Sequence, residues 1–195
     1  MRFIGLVLVL LSLTCNAADV NSKFAVKGAG RKSCEDFVRV MDSKTNDYYV
    51  YGGWLEGYIS GYNQSQVDNY DIAPWQSTEL MLSLIKHQCK TNKEMPFLTA
   101  TNMLIKTLFP VRLKQADSLV RIDFNDHHSY YYQSTLINAK QRLKKLGFIS
   151  YEIDDSFEDR DASAFSEYQK KAGLRVTGVP DQVTLSTLFL KSRKK

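Results

Sequence analysis

The sequence is poor in the residues that most often announce chemistry. Three cysteines and three histidines occur in 195 residues. The cysteines form no CxxC pair, and His87, His127 and His128 stand at no ligand spacing to them, which argues against a zinc site. No Ser-His-Asp order, zinc-peptidase motif or catalytic-cysteine context is visible, so neither an active site nor a cofactor nor a bound metal is expected. Aromatic residues and arginines do not interleave, and a formal charge of +5 is modest, which together exclude nucleic acid as the expected partner. The longest apolar run, residues 3–13, falls well short of the roughly 20 residues a membrane-spanning helix needs.

That short run has a different meaning. Met1-Arg2 precedes it, and Cys15-Asn16-Ala17 follows with small residues where a signal peptidase would inspect them. Residues 1–17 therefore read as a secretory signal cleaved after Ala17, which implies a periplasmic or secreted protein with no membrane span left after cleavage. Lipidation of Cys15 is the other reading of this segment, but Ser12-Leu13-Thr14 matches that site poorly. Cleavage removes Cys15 and leaves Cys34 and Cys89, and a pair in an exported chain is most simply a disulfide. A loop of that size closed by a disulfide contributes on the order of 4 kcal/mol in the chain-entropy account.

The remaining composition, 44% hydrophobic and 24% charged, is globular, and the length suits one ordinary domain or two small ones. Residues 18–32 are polar with Gly28 and Gly30 and read as a flexible leader. Residues 33–110 carry apolar side chains at helical spacing, broken by polar turns and Pro74, Pro96 and Pro110, which predicts a disulfide-closed four-helix domain. Its helix over residues 48–63 holds Gly53, Gly57 and Gly61 about one turn apart. Each glycine costs about 1 kcal/mol of helix propensity, so the stripe suggests close approach of another helix. Glu56 on the same helix is a lone carboxylate whose burial would raise its pKa, but it has no catalytic companion. Residues 111–133 read as a polar, aromatic linker. Asp123, Asp126, His127 and His128 invite a metal reading there, against which adjacent side chains diverge on either helix or strand.

Residues 134–192 show a sharper order. A helix over 135–146 presents Leu136, Ala139, Leu143 and Leu146 on one face, with Lys140, Arg142, Lys144 and Lys145 solvated on the others, and Gly147 caps it. A second helix over 161–172 carries Phe165, Tyr168 and Gln169 and stops at Gly173. Leu174 to Pro180 turns through Gly178, and Asp181 or Thr177 caps a third helix with Thr184, Leu185 and Leu188 inward. This order resembles the small three-helix peptidoglycan-binding domain that bacteria append to cell-wall enzymes and envelope proteins. The family has an Asp-Gly-x-Phe-Gly-like turn followed by a threonine. Here that register reads Asp154-Asp155-Ser156-Phe157-Glu158, with Asp161 at the threonine. Asp155 and Glu158 replace the glycines and make the turn negative. The resemblance implies a shallow groove beside the turn, with Tyr151 and Phe157 as apolar contacts and Asp154, Arg160 and Gln169 as polar ones.

The first domain has its own resemblance. Cys34-Glu35-Asp36-Phe37, the run Tyr51-Gly52-Gly53-Trp54-Leu55-Glu56-Gly57-Tyr58, and Cys89-Lys90-Thr91-Asn92 are similar to the HdeA/HdeB type of small periplasmic helical protein, a family of acid-stress chaperones, and to helical immunity proteins of type VI secretion. The expected fold is all-α, four helices plus three. The expected function is a non-enzymatic exported envelope protein bound or tethered to peptidoglycan. The alternatives are a chaperone or immunity protein whose helical domain binds an envelope or effector protein, and a wall-lytic enzyme with an unrecognised site.

Overall fold

The computed structural model describes residues 19, 21, 23–43, 45–124 and 127–190. The predicted signal at residues 1–17 lies outside them, as do residues 191–195 and Asn125-Asp126. The described chain is mostly helical. Its elements are α1 (Cys34–Ser43), α2 (Asp47–Ser65), α3 (Thr78–Cys89), α4 (Phe97–Leu108), β1 (Leu119–Phe124), β2 (His127–Tyr132), α5 (Gln133–Lys145), α6 (Asp159–Lys171) and α7 (Gln182–Phe189). Two hydrophobic cores form, one within α1–α4 and one that joins the hairpin to α5–α7.

In the first core, Phe37 of α1, Tyr51 of α2 and Phe97 of α4 meet with ring centroids 4.6 to 5.0 Å apart. Burial raises the Tyr51 phenol to about 12, with Asp36 adding to the shift. The Cys34–Cys89 disulfide fastens the start of α1 to the end of α3, as expected, with 5.0 Å between the Cα atoms. Ser77 caps α3 by accepting a hydrogen bond from the Leu80 amide.

Two expectations about this unit need correction. The leader is not wholly loose, because Gly28–Arg31 forms a 3-10 turn packed beneath Trp54. The Trp54 indole N–H donates to the Lys27 carbonyl at 2.8 Å, and Gly30 lies so close that a Cβ there would sit 2.2 Å from the ring. The stripe of Gly53, Gly57 and Gly61 meets no helix: the three glycines are exposed, with nothing within 4 Å of an added Cβ. Gly52, one residue away, is the glycine that faces the core, against Thr78. Glu56 is exposed and accepts a hydrogen bond from the Thr78 hydroxyl, so it has no buried carboxylate to offer as an acid.

The all-α expectation fails at the segment read as a linker. β1 and β2 pair antiparallel, from Leu119 opposite Tyr132 to Phe124 opposite His127. The β-branched and aromatic residues on both strands suit a pleated, half-buried surface. Ile122 and Tyr131 enter the second core, so the hairpin is part of the C-terminal module's packing. Phe124 presses on Gly178, whose φ is +74° and where a Cβ would fall 2.6 Å from the ring. Glycine is required there on both counts.

The two units touch where Tyr70 meets Tyr132 of β2, ring centroids 6.2 Å apart, and are clasped again at the start of α7. Gln182, the first residue of α7, donates through its amide to the Trp75 carbonyl and accepts from the Ser77 amide at 2.8 Å. Trp75 thereby lies against Phe189, with centroids 5.5 Å apart, and packs on the second core although it belongs to the loop before α3.

Candidate functional site

The turn between α5 and α6 is built around Lys140. Leu136, Lys140 and Leu143 stand at i, i+4 and i+7 on α5, so helical geometry carries the lysine onto the buried face with the two leucines. Its side chain is 0% exposed. Solvation on an outer face, the sequence expectation, is therefore corrected. The Nζ donates to the Asp154 carbonyl at 3.2 Å, to Asp154 Oδ1 at 3.1 Å and to the Ser156 carbonyl at 2.9 Å. It also lies 3.1 Å from Asp161 Oδ1, and Asp161 is itself fully buried. An ammonium in so dry a place is tolerated only because each proton finds an oxygen and the charge finds a carboxylate.

Asp161 does more than balance charge. Its Oδ1 accepts from the Tyr151 hydroxyl at 2.8 Å and its Oδ2 from the Glu158 amide at 2.9 Å. Glu158 is the N-cap of α6 and Asp161 its third residue, so the two close a reciprocal capping box. Asp161 therefore lies one turn inside the helix, three residues past its cap. Burial, reinforced by the bond to Asp161, pushes the Tyr151 phenol above its usual range. Asp154 is held down to about 2, chiefly by the Ser156 hydroxyl and then by Lys140. Arg160 pairs with Asp154 and, at 3.1 Å, with Glu158, and its guanidinium lies 4.6 Å from the centre of the Tyr151 ring. Phe157 leans on Phe165 of α6, centroids 6.1 Å apart.

Four of the five predicted contact residues, Tyr151, Asp154, Phe157 and Arg160, thus share one turn. Gln169 does not join them. It is 0% exposed and serves as the hub of the following turn. Its amide nitrogen donates to the Thr177 hydroxyl (2.9 Å), the Val179 carbonyl (2.9 Å) and the Thr184 hydroxyl (2.8 Å), and its oxygen accepts from the Thr177 and Gly178 amides. Asp181 caps α7 through the Thr184 amide. A side chain so enclosed cannot touch a ligand in a surface groove. Asp155 and Glu158, which stand where the family has glycine, need no left-handed backbone, because Asp68 is the one non-glycine residue with positive φ among the described residues.

A family model described as "Putative peptidoglycan binding domain" matches residues 133–188. The match covers α5–α7 and the two turns just described. Residues 33–110 receive no support for a resemblance to HdeA/HdeB-type or immunity proteins. Comparison with curated proteins and with solved structures returns no match.

In the peptidoglycan-binding-like module, Asp154, Glu158 and Asp161 of the acidic turn are engaged by Lys140, Arg160, Tyr151 and backbone amides, while Asp155 is exposed. Among the described residues no group of three His, Cys, Asp or Glu is placed to hold a metal ion, and no helix is long and apolar enough to cross a membrane. Sequence reasoning missed Lys140, although its i+4 spacing from Leu136 was the available signal. It also missed the part played by Trp75, which no local pattern marks.

Proposed function

We propose that this protein is a non-enzymatic, exported component of the bacterial envelope that binds peptidoglycan through its C-terminal module. The observation that carries the reading is the family match over residues 133–188, in a segment whose three helices and two polar-pinned turns form one packed core. Export agrees with the apolar run at residues 3–13 and with a disulfide in the N-terminal unit. The N-terminal unit would then be the cargo held at the wall. Incubating the full chain with purified sacculi tests both halves of the reading. Retention in the pellet with unchanged turbidity is expected. A chain that stays in the supernatant refutes wall binding, and falling turbidity refutes the non-enzymatic reading.

A second reading has one observation in its favour. The outer face of α2 exposes Tyr49 and Val50 beside Gly53, Gly57 and Gly61, a flat surface where a partner protein's helix would approach closely. Chaperone-like or immunity-like binding by residues 33–110 would use that face. Suppression of client aggregation at low pH by the full chain, abolished by Gly57→Gln, is the outcome that favours it.

A further inference from the structure

A cleft of about 420 Å³ opens where the two units meet, inside the roughly 300–1,000 Å³ range of small-ligand sites. Trp75 and Phe189, both half-buried, form its apolar wall. Asn138, Gln141, Arg142 and Lys145 form the other, at i, i+3, i+4 and i+7 on α5, so they make one stripe along the helix. No aspartate or glutamate lines it.

Two of the three cations there are unspent. Arg112, at the rim, is committed to Asp68 and to the Phe109 carbonyl. Arg142 is different: its Nε is buried without a hydrogen-bond partner. Its guanidinium makes no side-chain hydrogen bond or ion pair among the described residues, and Lys145 makes none either. A partly buried guanidinium left unpaired is costly, and a planar anion offering two oxygens is the partner its geometry fits.

We propose that this cleft, and not the turn from Asp154 to Asp161, is where a carboxylate-bearing fragment of peptidoglycan is recognised. The proposal rests on the reading that the chain binds peptidoglycan and assigns that binding to a place. An aminosugar ring offers an apolar face to Trp75 and Phe189. Its N-acetyl group and the stem-peptide amides offer partners to Asn138 and Gln141. A stem-peptide carboxylate pairs with Arg142 and Lys145. The turn, by contrast, commits its two cations, Lys140 and Arg160, to its own carboxylates, so it offers a ligand carboxylate no free positive charge. Because one wall comes from the loop before α3, the module recognises the ligand only when docked on the N-terminal unit.

Isothermal titration of the full chain with soluble muropeptides, released from sacculi by a muramidase, decides the matter. Arg142→Gln with Lys145→Gln is expected to weaken binding about tenfold or more, the scale of losing a charge-assisted hydrogen bond. Arg142 has no side-chain partner to lose, so this variant is expected to keep the wild-type melting temperature. Methyl-esterified muropeptides are expected to bind wild type about tenfold more weakly, with little further loss in the variant, as a direct pair requires. Arg160→Gln in the turn is expected to stay within about threefold. Undiminished affinity in the cleft variant, or loss confined to Arg160→Gln, overturns the cleft while leaving peptidoglycan binding intact. Binding of inorganic phosphate in preference to muropeptides overturns the ligand class. No binding by wild type removes the functional reading itself.

Discussion

The two halves of the molecule keep their shape by different means. The N-terminal unit buries a ring of aromatics and closes a disulfide, and its few buried polar side chains, Asn69, Gln76 and Thr101, are all neutral. The C-terminal module buries Lys140, Asp161, Gln169, Thr135, Thr177 and Thr184. Two of these are hubs, each pinning one interhelical turn. A module this small has little apolar core to spare for its loops. Hydrogen bonds in a dry setting supply the definition that covalent closure supplies in the other unit.

Breaking the hubs should separate the two strategies. Lys140→Met leaves Asp161 buried with its charge uncompensated, and a loss of roughly 3–5 kcal/mol is expected in urea unfolding of the full chain. Lys140→Met combined with Asp161→Asn should recover part of it, because the stranded charge is then gone. Replacing Cys34 and Cys89 by serine is expected to cost about 4 kcal/mol, with loss of tertiary signal from Trp54 before the module melts. Gln169→Leu removes six hydrogen bonds and strands the backbone amides of Thr177 and Gly178, for an expected loss of roughly 2–3 kcal/mol. A loss under about 0.5 kcal/mol for either hub variant would contradict this account of the module.

The smallest effect is a titration. Asp154 is depressed to about 2 in the folded chain against about 3.9 for a free aspartate. Its contribution is therefore complete above about pH 4 and is lost as the pH falls through about 2. The stability difference between wild type and Asp154→Asn should stay flat from pH 7 to 5 and shrink only in strong acid. A difference that changes near neutrality would contradict the Ser156 and Lys140 contacts assigned to this carboxyl.

The comparison also marks what a sequence can disclose. The cysteine pair, the Asp181 cap, and glycine ends at Gly147 and Gly173 are legible, because each is a local rule obeyed within a few residues. The hairpin was not, since its tyrosines and histidines have no clean alternation, and its burial comes from Ile122 and Tyr131 meeting helices that follow it in the chain. Lys140 looked like one charge in a basic run. Only the position of the Asp154–Asp161 turn, set by tertiary packing, reveals its role. The glycine stripe on α2 misled in the opposite sense: periodicity marks a shared face without saying whether anything covers it.

The central claim is that the module recognises peptidoglycan and is not merely a basic surface adhering to an anionic polymer. With a formal charge of +5, adhesion alone would pellet some of the chain. The most direct measurement is release of the full chain from purified sacculi at physiological salt by soluble muropeptides, set against release by a neutral dextran of equal mass concentration. The account predicts saturable release by muropeptides and none by dextran. Retention that only rising salt can reverse, with muropeptides no better than dextran, would contradict it.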